Sequence, residues 1–143
     1  MFTKYAKQGP QQGKTVPWVL LGLRNPDGSH PIVHLEHLGE ENRPFWLEML
    51  EQAQAEQPPH TKSPAEIDKR RRDARAENRE IVIRHSARRL ENVVRDDGAL
   101  ATDAEIALFI RSIPDGDFDD LLAFAKLGAP YREYPEPKAL AEK

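Results

Sequence analysis

Ser63 to Gly98 reads SPAEIDKRRRDARAENREIVIRHSARRLENVVRDDG, and the rest of the chain is organised around it. The segment has a readable start. Ser63 followed by Pro64, Ala65 and Glu66 is a capping box: the serine hydroxyl accepts from an orphan N–H, Glu66 reaches back, and Pro64 takes the first helical position, where no donor is needed. From Glu66 to Glu80 almost every residue is charged or alanine, so this half is expected to stand in solvent, with close charge pairs such as Glu66 with Arg70 along it. Beyond it, Ile83, Ala87, Leu90 and Val94 fall on one helical stripe flanked by Ile81 and Val93, while Arg84, Arg88, Arg89 and Arg95 fill much of the opposite arc. Gly98, after Asp96 and Asp97, is free to adopt the left-handed conformation that closes a helix. The pattern predicts one long helix over residues 63–98. The β-branched run Ile81-Val82-Ile83 leaves a short strand or a break as the alternative.

Upstream, Trp18 to Leu23 and Ile32 to Leu35 are short apolar runs separated by Asn25-Pro26-Asp27-Gly28, which predicts a β-hairpin. Two strands are marginal in water, so the hairpin must lean on a helix or another chain, and without a third strand its edges stay open. Asn42 is a good cap ahead of Arg43-Pro44, and Phe45, Trp46, Met49, Leu50 and Ala53 lie at helical spacing through Gln54. Phe45 and Trp46 are expected to cover the hairpin. Gln57-Pro58-Pro59-His60-Thr61-Lys62 reads as a linker. After Gly98, Thr102 with Glu105 makes a second capping box before Ile106, Phe109 and Ile110, and that helix stops near Pro114. Asp115 to Asp120 lead into a last helix carrying Leu121, Leu122, Phe124, Ala125 and Leu127, the acids lying where the helix dipole favours them. The fold class expected is α+β, mainly α: an N-terminal β-hairpin with a covering helix, then a long helix and two shorter helices forming a small bundle. The expected divisions are a flexible arm over 1–16, a hairpin-plus-helix unit over 17–56, the linker over 57–62, a helical unit over 63–128 and an extended tail over 129–143.

The 143 residues suit about one domain, and with 38% hydrophobic and 31% charged residues the core should be small. The chain has no cysteine. That excludes a disulfide scaffold, a thiolate zinc site and a cysteine nucleophile. No apolar run reaches the length of a signal peptide or a membrane span, so the expected setting is cytoplasmic, with no membrane partner. Charge is partitioned: residues 62–95 hold eleven Lys or Arg against six Asp or Glu, while residues 96–127 hold two against eight. Either the two halves fold against each other or solvate separately, or one charged surface meets a partner.

Candidate chemistry is sparse. His30, His34 and His37 lack a carboxylate or a fourth histidine at ligand spacing to complete a zinc set. Asp115, Asp117 and Asp119 begin like a calcium loop, but Asp120 stands where glycine is needed and Lys126 where the bidentate glutamate belongs. No phosphate loop, nucleophile elbow or zinc-protease motif is present, so no catalytic residue, cofactor or metal is expected. Arg70, Arg71, Arg72, Arg75, Arg79, Arg84, Arg88 and Arg89 invite a nucleic-acid reading. Interleaved glutamates, the absence of aromatics from that segment and a pI near 6.0 speak against it.

The run from Arg79 to Phe124, REIVIRHSARRLENVVRDDGALATDAEIALFIRSIPDGDFDDLLAF, resembles the C-terminal part of the tail assembly chaperones of long-tailed bacteriophages: a basic helix, a short acidic turn with D-D-G, a Thr cap, then helices filled with aromatic and leucine residues. The stretch HLGEENRPFW, residues 37–46, is similar to a helix start in several of them. The resemblance covers about half the chain. It implies a non-catalytic factor of the host cytoplasm that holds the tape measure protein soluble and helps recruit tail tube subunits; open hairpin edges would offer self-association or strand pairing as a second contact. Arg84, Arg88 and Arg89, with Phe45 and Trp46, are the candidate partner-binding residues. The alternatives are a virion structural component, such as a head-tail connector or capsid accessory protein, and a nucleic-acid-associated regulator using the arginine-rich helix.

Overall fold

Val33 and Leu35 are wholly buried at the centre of a three-stranded antiparallel sheet of order β1-β2-β3. The strands are β1 (Thr15–Val19), β2 (Ile32–Glu36) and β3 (Ala87–Glu91). The computed structural model describes residues 10, 12–55 and 63–132. Most of the expected arm, the expected linker and the end of the tail therefore lie outside the described residues. The helices are α1 (Arg43–Ala55), α2 (Pro64–His85), α3 (Ile106–Ser112) and α4 (Asp115–Lys126).

The architecture is α+β and mainly α, as expected, but the long helix stops well short of Gly98. α2 ends at His85, Ser86 donates its N–H to Val82 O at 2.9 Å, and the chain turns into β3 against β2. Ser86 is fully buried, and its hydroxyl donates to Glu36 O at 2.7 Å. The break falls just after the Ile81–Ile83 run. The misleading signal has a physical origin in a bulge. Ala87 pairs with Leu35 and Arg89 with His34, which leaves Arg88 as an extra residue. In a regular strand Ala87 and Leu90 would face opposite sides. The extra residue puts both on the buried face, so a spacing of three that reads as helical belongs to a bulged strand.

Past β3, Asn92 takes φ 57°. Its amide donates to Ser29 Oγ at 2.9 Å and His30 O at 3.0 Å, tying the end of β3 to the β1–β2 turn. Val93 to Ala101 then form a second, small hairpin. Ala101 N–H reaches Val93 O at 2.7 Å, Val94 bridges Leu100, and Gly98 N–H reaches Arg95 O at 2.9 Å. Gly98 does adopt a left-handed conformation, φ 87°, but it closes a hairpin turn and not a helix.

Both edges of the sheet are guarded. Leu20 N–H donates to Pro31 O at 2.9 Å, and the alternation of an antiparallel ladder then sets the Pro17 nitrogen on the outer edge of β1, where it offers no donor. On the other edge Leu90 N–H donates to Asp103 Oδ1 at 3.0 Å. The hairpin thus gains a third strand from beyond the linker, and its partners are intramolecular.

Helix caps follow the sequence only in part. Thr102 and Glu105 form the expected capping box, Thr102 N–H meeting Glu105 Oε1 at 3.2 Å, on a short 3₁₀ turn that leads into α3. Ser63 stands at the N-cap with Pro64 after it, but its side chain makes no cap hydrogen bond. Asn42 precedes α1 as expected. Its buried amide donates to His37 O at 3.1 Å and His85 O at 2.8 Å, so it fastens the end of β2 to the end of α2.

One core serves all of this. Leu90 is buried in it with Val33, Val82, Ile110, Phe118 and Leu121, and Phe109 and Leu122 pack against it. Trp18 of β1 meets Phe124 of α4 with ring centroids 4.6 Å apart. The chain after α4 is not simply extended: Ala129–Tyr131 make a 3₁₀ turn, and Tyr131 is fully buried. β1 likewise takes in Thr15 and Val16, which fall within the expected arm. No helix of the described residues is long and apolar enough to cross a membrane.

Candidate functional site

Of the five candidate partner-binding residues, Phe45 and Trp46 pack inward and Arg84 and Arg88 are engaged within the chain. Phe45 is buried, its ring edge-on to His85 at 6.1 Å, and Trp46 is half-buried against the core. Arg84 donates to Glu48 Oε1 at 2.5 Å, and His85 Nε2 lies 2.6 Å from Glu48 Oε2, so both hold α1 against α2. Arg88, the bulge residue, donates to the buried Glu36 carboxylate at 2.9 and 2.7 Å. It also donates to Arg84 O at 3.3 Å and His85 O at 3.1 Å, carbonyls left open at the end of α2. Arg89 projects from the exposed face of the sheet, 3.6 Å from Glu91.

The partition of charge closes on itself. Arg75 reaches Asp119 at 3.1 Å and Asp115 at 3.4 Å, Arg79 reaches Asp115 at 2.8 Å, and Arg111 of α3 reaches Glu80 of α2 at 2.5 Å. The Arg111 hydrogen bond holds the Glu80 carboxyl below its ordinary range, and Glu80 raises Arg111 in return. The solvent-facing start of α2 is laced by Asp68 with Arg72 at 3.2 Å and Lys69 with Asp73 at 3.1 Å.

The histidines are each engaged separately. His30 Nδ1 lies 2.7 Å from Leu23 O, His34 Nε2 lies 2.9 Å from Glu91, and His37 sits between Glu41 and Lys126 O. Among the described residues no group of three or more His, Asp or Glu is placed to hold a metal ion.

A recess lies between α3 and the 93–101 hairpin. α3 is apolar on two sides. Ile106 and Ile110 point into the core, while Glu105, Leu108, Phe109 and Ser112, at spacings of three, one and three, share an outward stripe. Leu108 is 68% exposed, and Leu100 across the hairpin 63%. Within that stripe Leu108 is the exposed apolar residue, Phe109 is shared between the recess and the core, and Glu105 and Ser112 are polar. Opposite stand Val93, Val94 and Ala101, and the recess between has a volume of about 560 Å³. Its rim is charged. Arg95 is held by Asp97 at 2.6 Å and Glu105 at 3.6 Å. Ala99 N–H on Asp97 Oδ1, with Arg95 beside it, keeps that carboxyl below its ordinary range. Sequence reading missed this site because it placed 93–98 at the end of a helix. The D-D-G after Val93-Val94 was the available hairpin signal.

No protein-family model, curated protein or solved structure matches the chain.

Proposed function

We propose that this protein is a non-catalytic tail assembly chaperone of a long-tailed bacteriophage. In the host cytoplasm it binds the tape measure protein and helps bring tail tube subunits to it. The observation that carries the reading is the recess beside α3, where Val94, Leu108 and Phe109 stand next to Arg95, Asp96, Asp97 and Glu105. A tape measure is a long helical chain that aggregates unaided, and a groove offering Leu108, Phe109 and Val94 shields one apolar face of such a helix reversibly. Charges at the rim set register and speed encounter more than they add affinity, which suits a factor that must let go. The pairing of Arg75, Arg79 and Arg84 with carboxylates of this chain leaves the arginine-rich helix poorly suited to phosphates.

Co-expression tests the proposal. The tape measure protein from the same gene cluster is expected to stay soluble and co-purify with this chain, and to aggregate without it. Mass spectrometry of purified virions is expected to lack the chain. Its presence at defined copy number would instead establish a structural component.

A further inference from the structure

We infer that the recess between α3 and the 93–101 hairpin is the docking site for a cationic amphipathic helix, one whose apolar stripe is flanked by Lys or Arg. The inference deepens the proposed function and takes from it the helical nature of the partner; the recess and its charge stand independently. Three carboxylates, Asp96, Asp97 and Glu105, line the recess against the single guanidinium of Arg95. That guanidinium already lies against two of them. Asp96 has no ion-pair partner among the described residues, so the rim presents unneutralised negative charge beside exposed leucine.

Charge and shape together select the occupant. A helix with acidic flanks would meet like charge at the rim, and a polar helix would leave Leu108 wet. A helix whose apolar residues recur at i, i+3 and i+4 seats on Leu108 and Phe109, with its cations toward the Asp96, Asp97 and Glu105 carboxylates of the same recess.

The full chain should be titrated with a fluorescent amphipathic peptide carrying leucine on one face and lysine on its flanks, and with the same peptide carrying glutamate for each lysine. The lysine peptide is expected to bind at least about tenfold more tightly and to weaken with salt. Amide shifts should centre on Val94, Asp96, Leu108 and Phe109. Leu108→Asp and Asp96→Asn should each weaken the lysine peptide, while Leu47→Asp on exposed α1 should leave it unchanged. Equal binding of the glutamate peptide, shifts centred elsewhere, insensitivity to Leu108→Asp in a variant with an unchanged spectrum, or no binding of the lysine peptide would each overturn the inference. The two readings fail separately. A chain that keeps the tape measure protein soluble whether or not Leu108 is changed removes the docking site and leaves the chaperone; a chain that binds the lysine peptide at the recess but never the tape measure protein does the reverse.

Discussion

Arg79 joins three elements through one side chain. It is 9% exposed, donates to Ile110 O at 2.5 Å and Asp115 Oδ1 at 2.8 Å, and lies over the Phe118 ring at 4.7 Å. Ile110 O is one of the carbonyls that the end of α3 leaves without an intrahelical partner, and Asp115 is the first residue of α4. One guanidinium therefore fixes the α3–α4 corner against α2. Arg79→Ala strands a buried carbonyl as well as removing an ion pair, and is expected to cost about 2–3 kcal/mol in urea unfolding. Asp115→Asn, at a carboxylate 66% exposed, should cost less than about 1 kcal/mol. Tyr131 isolates the effect of burial. Its ring sits 5.0 Å from His37 and 6.0 Å from Phe124, and its hydroxyl has no hydrogen-bond partner among the described residues. Burial first, then the charges of Glu36 and Glu41, push the phenol above its ordinary range. An unfolded tyrosine ionises near pH 10 while the folded one keeps its proton, so the unfolded state is favoured as pH rises past that value. The buried phenol therefore carries no ionisation penalty below about pH 10, and the fold loses stability progressively as pH rises above it. Tyr131→Phe should abolish that alkaline loss and be neutral, or stabilising by up to about 1 kcal/mol, at pH 7. Unfolding curves at both pH values decide this, and marked destabilisation by phenylalanine at pH 7 would reveal a hydroxyl partner.

At the scale of elements, legibility followed how local the determinants were. α1, α4, the 102–105 capping box and β2 each carry their own signals: a helical apolar stripe, first-turn acids, or a turn of Asn, Pro, Asp and Gly; β1, at Thr15–Val19, shares only Trp18 and Val19 with the apolar run expected to form it. β3 carries none that survives inspection alone. Its sequence ARRLE has two arginines at its centre, and its inward residues are brought to one face only by the Arg88 bulge, which exists because β2 lies alongside. The candidate site was illegible for the same reason, since its far wall is the hairpin that replaces the end of the expected helix. Asp103 makes the point testable. It lies outside the strand yet caps the outward N–H of Leu90, the group through which β3 would pair with a foreign strand. Asp103→Ala is expected to cost about 1 kcal/mol and to speed hydrogen exchange of the Leu90 amide above that of its neighbours. Unchanged exchange at Leu90 would mean that the edge is covered by something other than this carboxylate.

The whole molecule is held by contacts that cross the Pro-rich segment. β3, from beyond it, lies beside β2; Glu48 of α1 grips Arg84 and His85 of α2; Asn42 bonds His85 O; and Trp18 of β1 packs on Phe124 of α4. The sheet and the core are therefore shared by sequence units that composition alone sets apart. A hairpin without its third strand exposes the Val33–Leu35 face, and a helical fragment without β2 leaves Leu90, Ile110 and Phe118 against water. Residues 1–55 and 63–143 expressed separately should each give the poorly dispersed amide spectrum of an unfolded chain. Mixing them should restore dispersion, because the contacts that cross the gap need no covalent link between the two pieces. The association should be strong enough to survive gel filtration, since it rebuilds a core and not a surface patch. If residues 63–143 alone give a dispersed spectrum and cooperative melting, β3 does not depend on β2 for its form. The helical portion would then be a domain in its own right.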